Sequence, residues 1–180
     1  MLTLIVSMVD GFDETTSEFV SVEDVTMELE HSLVSVSKWE AKYEKAFLGA
    51  GDKTEDQVLD YIRMMILGSL PPQEVFARFS EKNYTDIKEY IDAKMSAAWF
   101  SDTGPKNTTS EVVTSELIYY WMIALGIPFE CQSWHLNRLL TLIKVCNLKN
   151  APEKKMSPAD IAARNKQLNA QRRAEMKSRG

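Results

Sequence analysis

The sequence predicts an α+β protein: a small N-terminal antiparallel sheet from residues 1–31, packed on a mainly α-helical body over 37–148, with a basic C-terminal helix appended. Three observations predict it. Runs of β-branched and alternating residues open the chain within its first thirty positions. Helical spacing with Ser and Thr caps fills the middle. A break at Asn150-Ala151-Pro152 precedes a shift to basic composition. The expected organisation is therefore a core domain of residues 1–150 and a helical tail of residues 151–180.

The strands come first. Leu2–Val9 is β-branched and ends at the turn signal Asp10-Gly11, and Glu18–Val22 is a second extended run. Val25, Met27 and Leu29 alternate with Thr26, Glu28 and Glu30, as in a strand with one buried face. These runs suggest a three-stranded meander, too small to be stable uncovered.

Helices follow. Ser37-Lys38-Trp39-Glu40 has the form of a capping box, with Trp39, Tyr43 and Phe47 as one aromatic stripe and Gly49-Ala50-Gly51 as the stop. Thr54-Glu55-Asp56-Gln57 opens a second helix that turns Val58, Leu59, Ile62, Met65 and Ile66 inward. A short helix over Pro72–Phe79 and another over Asn83–Met95 come next. Ser101–Ser110 has no apolar residue and reads as a loop. Ser110 or Thr114 caps a helix to about Leu125, where Gly126 suits a left-handed cap and Pro128 blocks continuation. Ser133 starts its partner, with Leu136, Leu139, Leu140 and Ile143 inward. Ser157-Pro158-Ala159-Asp160 opens the tail helix, whose apolar stripe is thin.

Composition narrows function. The chain has 180 residues, 44% hydrophobic and 26% charged, with two cysteines. No signal peptide is expected, no apolar run reaches the roughly 20 residues that span a bilayer, and a reduced, cytosolic setting fits. The net charge of −5 hides an asymmetry. Residues 1–60 carry 14 acids against 4 bases, and residues 151–180 carry 3 against 8. The basic tail reads as a helix for an acidic partner, nucleic acid or the protein's own front, or as a solvated helix. Nucleic acid is the poorer match, because the tail has no aromatic residue, the pI is about 5.2 and no RNA- or DNA-binding pattern is present.

The dense stretch from Ser110 to Asn150 holds both cysteines and His135. Cys131 and His135, four apart, could share a helix face and hold a metal or form a nucleophilic pair. No further ligand motif accompanies them, so Cys131 and Cys146 as packing residues and His135 as a hydrogen-bonded core residue is the favoured reading. No phosphate-binding glycine loop occurs. No catalytic residue, cofactor or metal ligand is expected. Trp99 and Phe100 precede the polar loop and are the aromatic pair expected to touch a partner. Arg164, Lys166, Arg172 and Arg173 on the tail helix are the other expected contacts.

The segments LEHSLVSVSKWEAKYEKAFLG (29–49), TSELIYYWMIALGIPFECQSWHLNRLLTLIKVCNLKNAP (114–152), KKMS (154–157) and ARNKQLNAQRR (163–173) resemble a family of small proteins encoded by tailed bacteriophages and prophages. The resemblance covers most of the chain, least distinctly over residues 70–110. The place of such proteins among tail genes implies a role like that of tail assembly chaperones, which bind the tape-measure protein without catalysis. It identifies no site residues. The expectation is a non-enzymatic tail assembly factor in the cytoplasm of the bacterial host. Its partner would be a tape-measure or tube protein, with self-association as a further expectation and no membrane partner. Nine methionines would supply an adaptable gripping surface. The alternative is a structural component of the virion tail, such as a connector, tube-associated or baseplate protein. A metal-binding or Cys/His enzyme is the remote one.

Overall fold

A computed structural model describes residues 1–8, 11–13, 15–20, 23–98, 112–151 and 158–175. The chain divides into two compact units, residues 1–147 and 148–180. The first is α+β, with the sheet at its amino-terminal end. Strand β1 (Leu2–Val6) pairs antiparallel with β4 (Val25–Leu29), Leu4 opposite Met27 and Val6 opposite Val25. Successive side chains point to opposite faces of a strand. Leu4, Val6, Met27 and Leu29 are accordingly buried, while Thr3, Ile5, Thr26 and Glu28 are exposed.

The meander is corrected. Strands β2 (Gly11–Asp13) and β3 (Glu18–Val20) form a separate two-stranded hairpin. A turn through Ser17, with φ of 55°, folds the second run back on the residues after Asp10, so it never reaches β1. The third strand of the main sheet comes instead from β5 (Ile66–Leu67), which pairs with β4. Ile66 therefore leaves the helix to which its spacing assigned it. Gly68, at φ 88°, turns the chain away immediately afterwards.

Helix α1 (Leu33–Tyr43) starts four residues before the expected box. Ser32 is the N-cap: its hydroxyl accepts from Ser35 N–H, and Ser35 Oγ accepts from Ser32 N–H. Serine replaces the usual Glu or Gln at N3, which hides this box from the standard pattern. Glu44, at φ 51°, ends α1 before Gly49 is reached. Phe47 therefore lies beyond the helix, although its ring still meets that of Trp39 edge-to-face at 5.2 Å. Helix α2 (Glu55–Met65) opens on the predicted box of Thr54 and Gln57. Helix α3 (Gln73–Phe76) is one turn, and α4 (Glu81–Asp92) starts at a box of Ser80 and Asn83.

Helix α5 (Ser115–Ala124) is capped by Thr114. It closes in a Schellman motif, with Gly126 N–H on Ile123 C=O, Ile127 N–H on Met122 C=O, and Gly126 at φ 64°. A 3₁₀ turn (Phe129–Ser133) leads into α6 (Leu136–Asn150), which therefore starts three residues after Ser133.

The sheet's inner face, α1, α2, α5 and α6 share one core, in which Trp39, Ile62, Met122 and Leu139 are at most 2% exposed. Asn83 of α4 donates to Ile5 C=O at 3.0 Å and so covers the free edge of β1. In the second unit, α7 (Pro158–Glu175) carries exposed residues from 161 to 173. Among the described residues, no helix is long and apolar enough to cross a membrane.

Candidate functional site

Both histidines meet where β4 ends and α6 begins. Leu136 N–H donates to His31 C=O at 2.7 Å, and this places the two rings 5.1 Å apart in an edge-to-face pair. His135 Nδ1 accepts from Asn137 N–H at 3.3 Å, which puts the proton on Nε2, and Nε2 then donates to Tyr90 C=O at 2.9 Å. His31 Nδ1 pairs with the Tyr61 hydroxyl at 2.5 Å. Tyr90 O–H donates to Glu30, whose other oxygen meets the terminal amine of Met1. Burial first, then His135, lowers the His31 pKa to about 4, with Glu30 opposing. Burial also pushes the Tyr61 and Tyr90 hydroxyls up.

Both nitrogens of His135 are committed, so neither is open as a base for Cys131, which lies buried in the 3₁₀ turn. Among the described residues, no group of three or more His, Cys, Asp or Glu is placed to hold a metal.

Two carboxylates tie the helices. Glu40, only 6% exposed, accepts from Phe47 N–H through one oxygen and from Ser115 N–H through the other, each at 2.7 Å. It thus binds α1 to the first turn of α5, where a negative charge suits the helix dipole. Asp60 accepts from Lys42, Tyr43 and Arg63, and these bonds, Lys42 first, hold its pKa at about 2.

α5 itself has one charged residue, Glu116, in ten. A helix apolar on all sides is normally enclosed. Here only Ser115, Ile118 and Met122 are fully buried. The opposite face displays Glu116, Tyr120, Ile123 and Ala124, with Tyr120 63% and Ile123 65% exposed. Half-buried Tyr119 and Trp121 flank it. Tyr119 O–H donates to Gln132, and its ring lies 6.3 Å from that of Phe129, itself 52% exposed. The result is a mainly apolar face extending from α5 onto the 3₁₀ turn, with Glu116 at one end and Glu130 beside Phe129.

The expected contact residues fall elsewhere. Trp99 and Phe100 lie outside the described residues. Arg164, Lys166, Arg172 and Arg173 all sit exposed on α7, spread around the helix rather than along one stripe. Of the methionines, Met27, Met65 and Met122 are core, Met1 and Met95 are exposed, and Met156 and Met176 lie outside the described residues. The α5 face was missed because apolar density was read as burial. Its signal was present in the charge-free positions 117–125, which are more apolar than one buried stripe requires. In comparison with known proteins, no family model matches this chain, and no curated protein or solved structure matches it significantly.

Proposed function

We propose that the chain acts by binding, as a bacteriophage tail assembly factor that shields apolar helices of the tape-measure protein. The observation that carries this reading is the outer face of α5, where Tyr120 and Ile123 stand exposed on a helix with a single charge. Such a face fits an amphipathic helix laid into or across it. The resemblance of residues 29–49 and 114–152 to tailed-phage proteins supports that setting. Arg164, Lys166, Arg172 and Arg173 would add contacts to acidic segments of the same client.

Co-expression with the tape-measure protein tests the proposal. The expected outcome is more soluble tape-measure protein and a complex that survives gel filtration, both reduced by Ile123→Lys. No gain in solubility and no complex would sink it. Mass spectrometry of mature virions separates the alternative: a chaperone is absent from them, whereas a tail structural component is present in stoichiometric amount.

A further inference from the structure

We propose that His135 is an acid-sensitive joint between α4 and α6. As a neutral ring it ties the end of one helix to the start of the other, and a proton on Nδ1 frees the first turn of α6 while the core stays packed. The joint involves no residue of the α5 face.

The end of α4 meets the start of α6. The last carbonyls of a helix are short of intrahelical partners, and so are the first amides. Tyr90 C=O accepts from His135 Nε2 at 2.9 Å. Asn137 Nδ2 donates to Ile91 C=O at 3.0 Å and to Ala93 C=O at 2.9 Å. In the other direction, Asn137 N–H donates to His135 Nδ1 at 3.3 Å, and Leu139 N–H donates to His135 C=O at 3.1 Å. His135 directly precedes Leu136, the first residue of α6, and so stands at the N-cap. An imidazole does there what Ser, Thr, Asp or Asn usually does.

That choice of cap makes the joint sensitive to acid. Only the neutral ring with its hydrogen on Nε2 can accept from Asn137 and donate to Tyr90 together. An imidazolium has two donors and no acceptor. The added proton comes to Nδ1, where it faces the Asn137 N–H, donor against donor. The charge is also unfavourable at the positive start of α6 and favourable at the negative end of α4. The charged ring therefore keeps Tyr90 and gives up Asn137. A hydroxyl or amide cap would not respond in this way.

The surrounding groups leave this response to His135. Glu30 stands beside His31 from the end of β4, and its oxygens are held by Tyr90 of α4 and the amine of Met1. Arg138 of α6 is turned onto the Trp134 ring, 4.2 Å away. His31 Nδ1 is bonded to Tyr61 O–H of α2, which has Ser35 Oγ of α1 at 3.4 Å as a second acceptor. A proton on His31 is thus accommodated by turning the Tyr61 hydroxyl, whereas a backbone N–H cannot turn. The two rings are 5.1 Å apart, so a charge on His135 also opposes one on His31. Further along α6, Leu139 and Ile143 are at most 4% exposed and hold the helix to the core. What opens is its first turn.

Amide exchange and imidazole nitrogen shifts, followed by NMR on the full chain from pH 8 down to the onset of acid unfolding, read this directly. At the upper end the shifts should show His135 with its hydrogen on Nε2. As they report its protonation, protection of the Asn137 amide, corrected for intrinsic exchange, should fall about tenfold, from a lost cap and a charge at the helix start. The amides of Ile62 and Met122 should keep theirs. His135→Asn retains a cap acceptor without a charge and should abolish the fall, and His31→Asn should leave it in place. If His135→Asn does not fold, the wild-type titration decides alone. Unchanged Asn137 protection through His135 protonation, or a His135 that stays neutral until the protein unfolds, overturns the proposal. So does an equal loss at Ile62 and Met122, a fall that persists in His135→Asn, or one that disappears in His31→Asn.

Discussion

His31 carries the clearest consequence of burial in this fold. Its ring is 2% exposed, it faces Tyr61, Phe47 and His135 within the cluster, and the Glu30 carboxylate beside it is shared with Tyr90 and Met1. Its pKa falls from 6.5 to about 4 on folding. Between those values the unfolded chain binds the proton and the folded chain does not, so stability falls as pH drops through that window. The loss is complete near pH 4 and comes to roughly 3 kcal/mol, at 1.36 kcal/mol per pKa unit. Urea unfolding at a series of pH values should show the slope, and His31→Asn should flatten it between pH 6.5 and 4. An unchanged slope in that variant would assign the acid sensitivity to other groups. None of this was legible in the sequence. His31 and His135 are 104 positions apart, and only the bridge between Ser32 and His135 brings them together.

Among the elements, those with strong local patterns were legible and those decided by pairing were not. Thr54 with Gln57, Gly126 and the alternation of residues 25–29 each act within a few residues, and each appears where expected. The pairing of β1 with β4 rather than with the nearer run at 18–20 depends on a turn at Ser17, which no residue preference announces. Glu40 was read as the end of a capping box. It is instead the joint between α1 and α5, and this predicts its mutational behaviour. Glu40→Ala leaves Phe47 N–H and Ser115 N–H without their acceptor, and the second is deeply buried. A buried donor left unpaired costs about 1–3 kcal/mol, so the variant should lose roughly 2–4 kcal/mol in urea unfolding. Glu40→Gln retains one acceptor oxygen and should lose about half as much. The same small loss for both variants would mean that neither bond is important to docking α5.

Across the whole molecule, hydrophobic burial and charge are separated along the chain. Every member of the main buried cluster lies between Leu4 and Ile143, within the first unit. Residues 161–173 of α7 are exposed, and the tail from 151 to 180 carries 8 bases against 3 acids. Stability and the basic charge should therefore be removable independently. A chain ending at Pro152 should keep the unfolding midpoint of the full protein, with the unfolding free energy changed by no more than about 0.5 kcal/mol, since exposed positions contribute little. Its binding to an acidic client should lose salt dependence, because the charges that screening weakens have gone. Measuring midpoint and salt dependence on the same truncated protein tests both halves. A large fall in midpoint would make the tail part of the fold. An unaltered salt dependence would move the electrostatic contact away from Arg164, Lys166, Arg172 and Arg173.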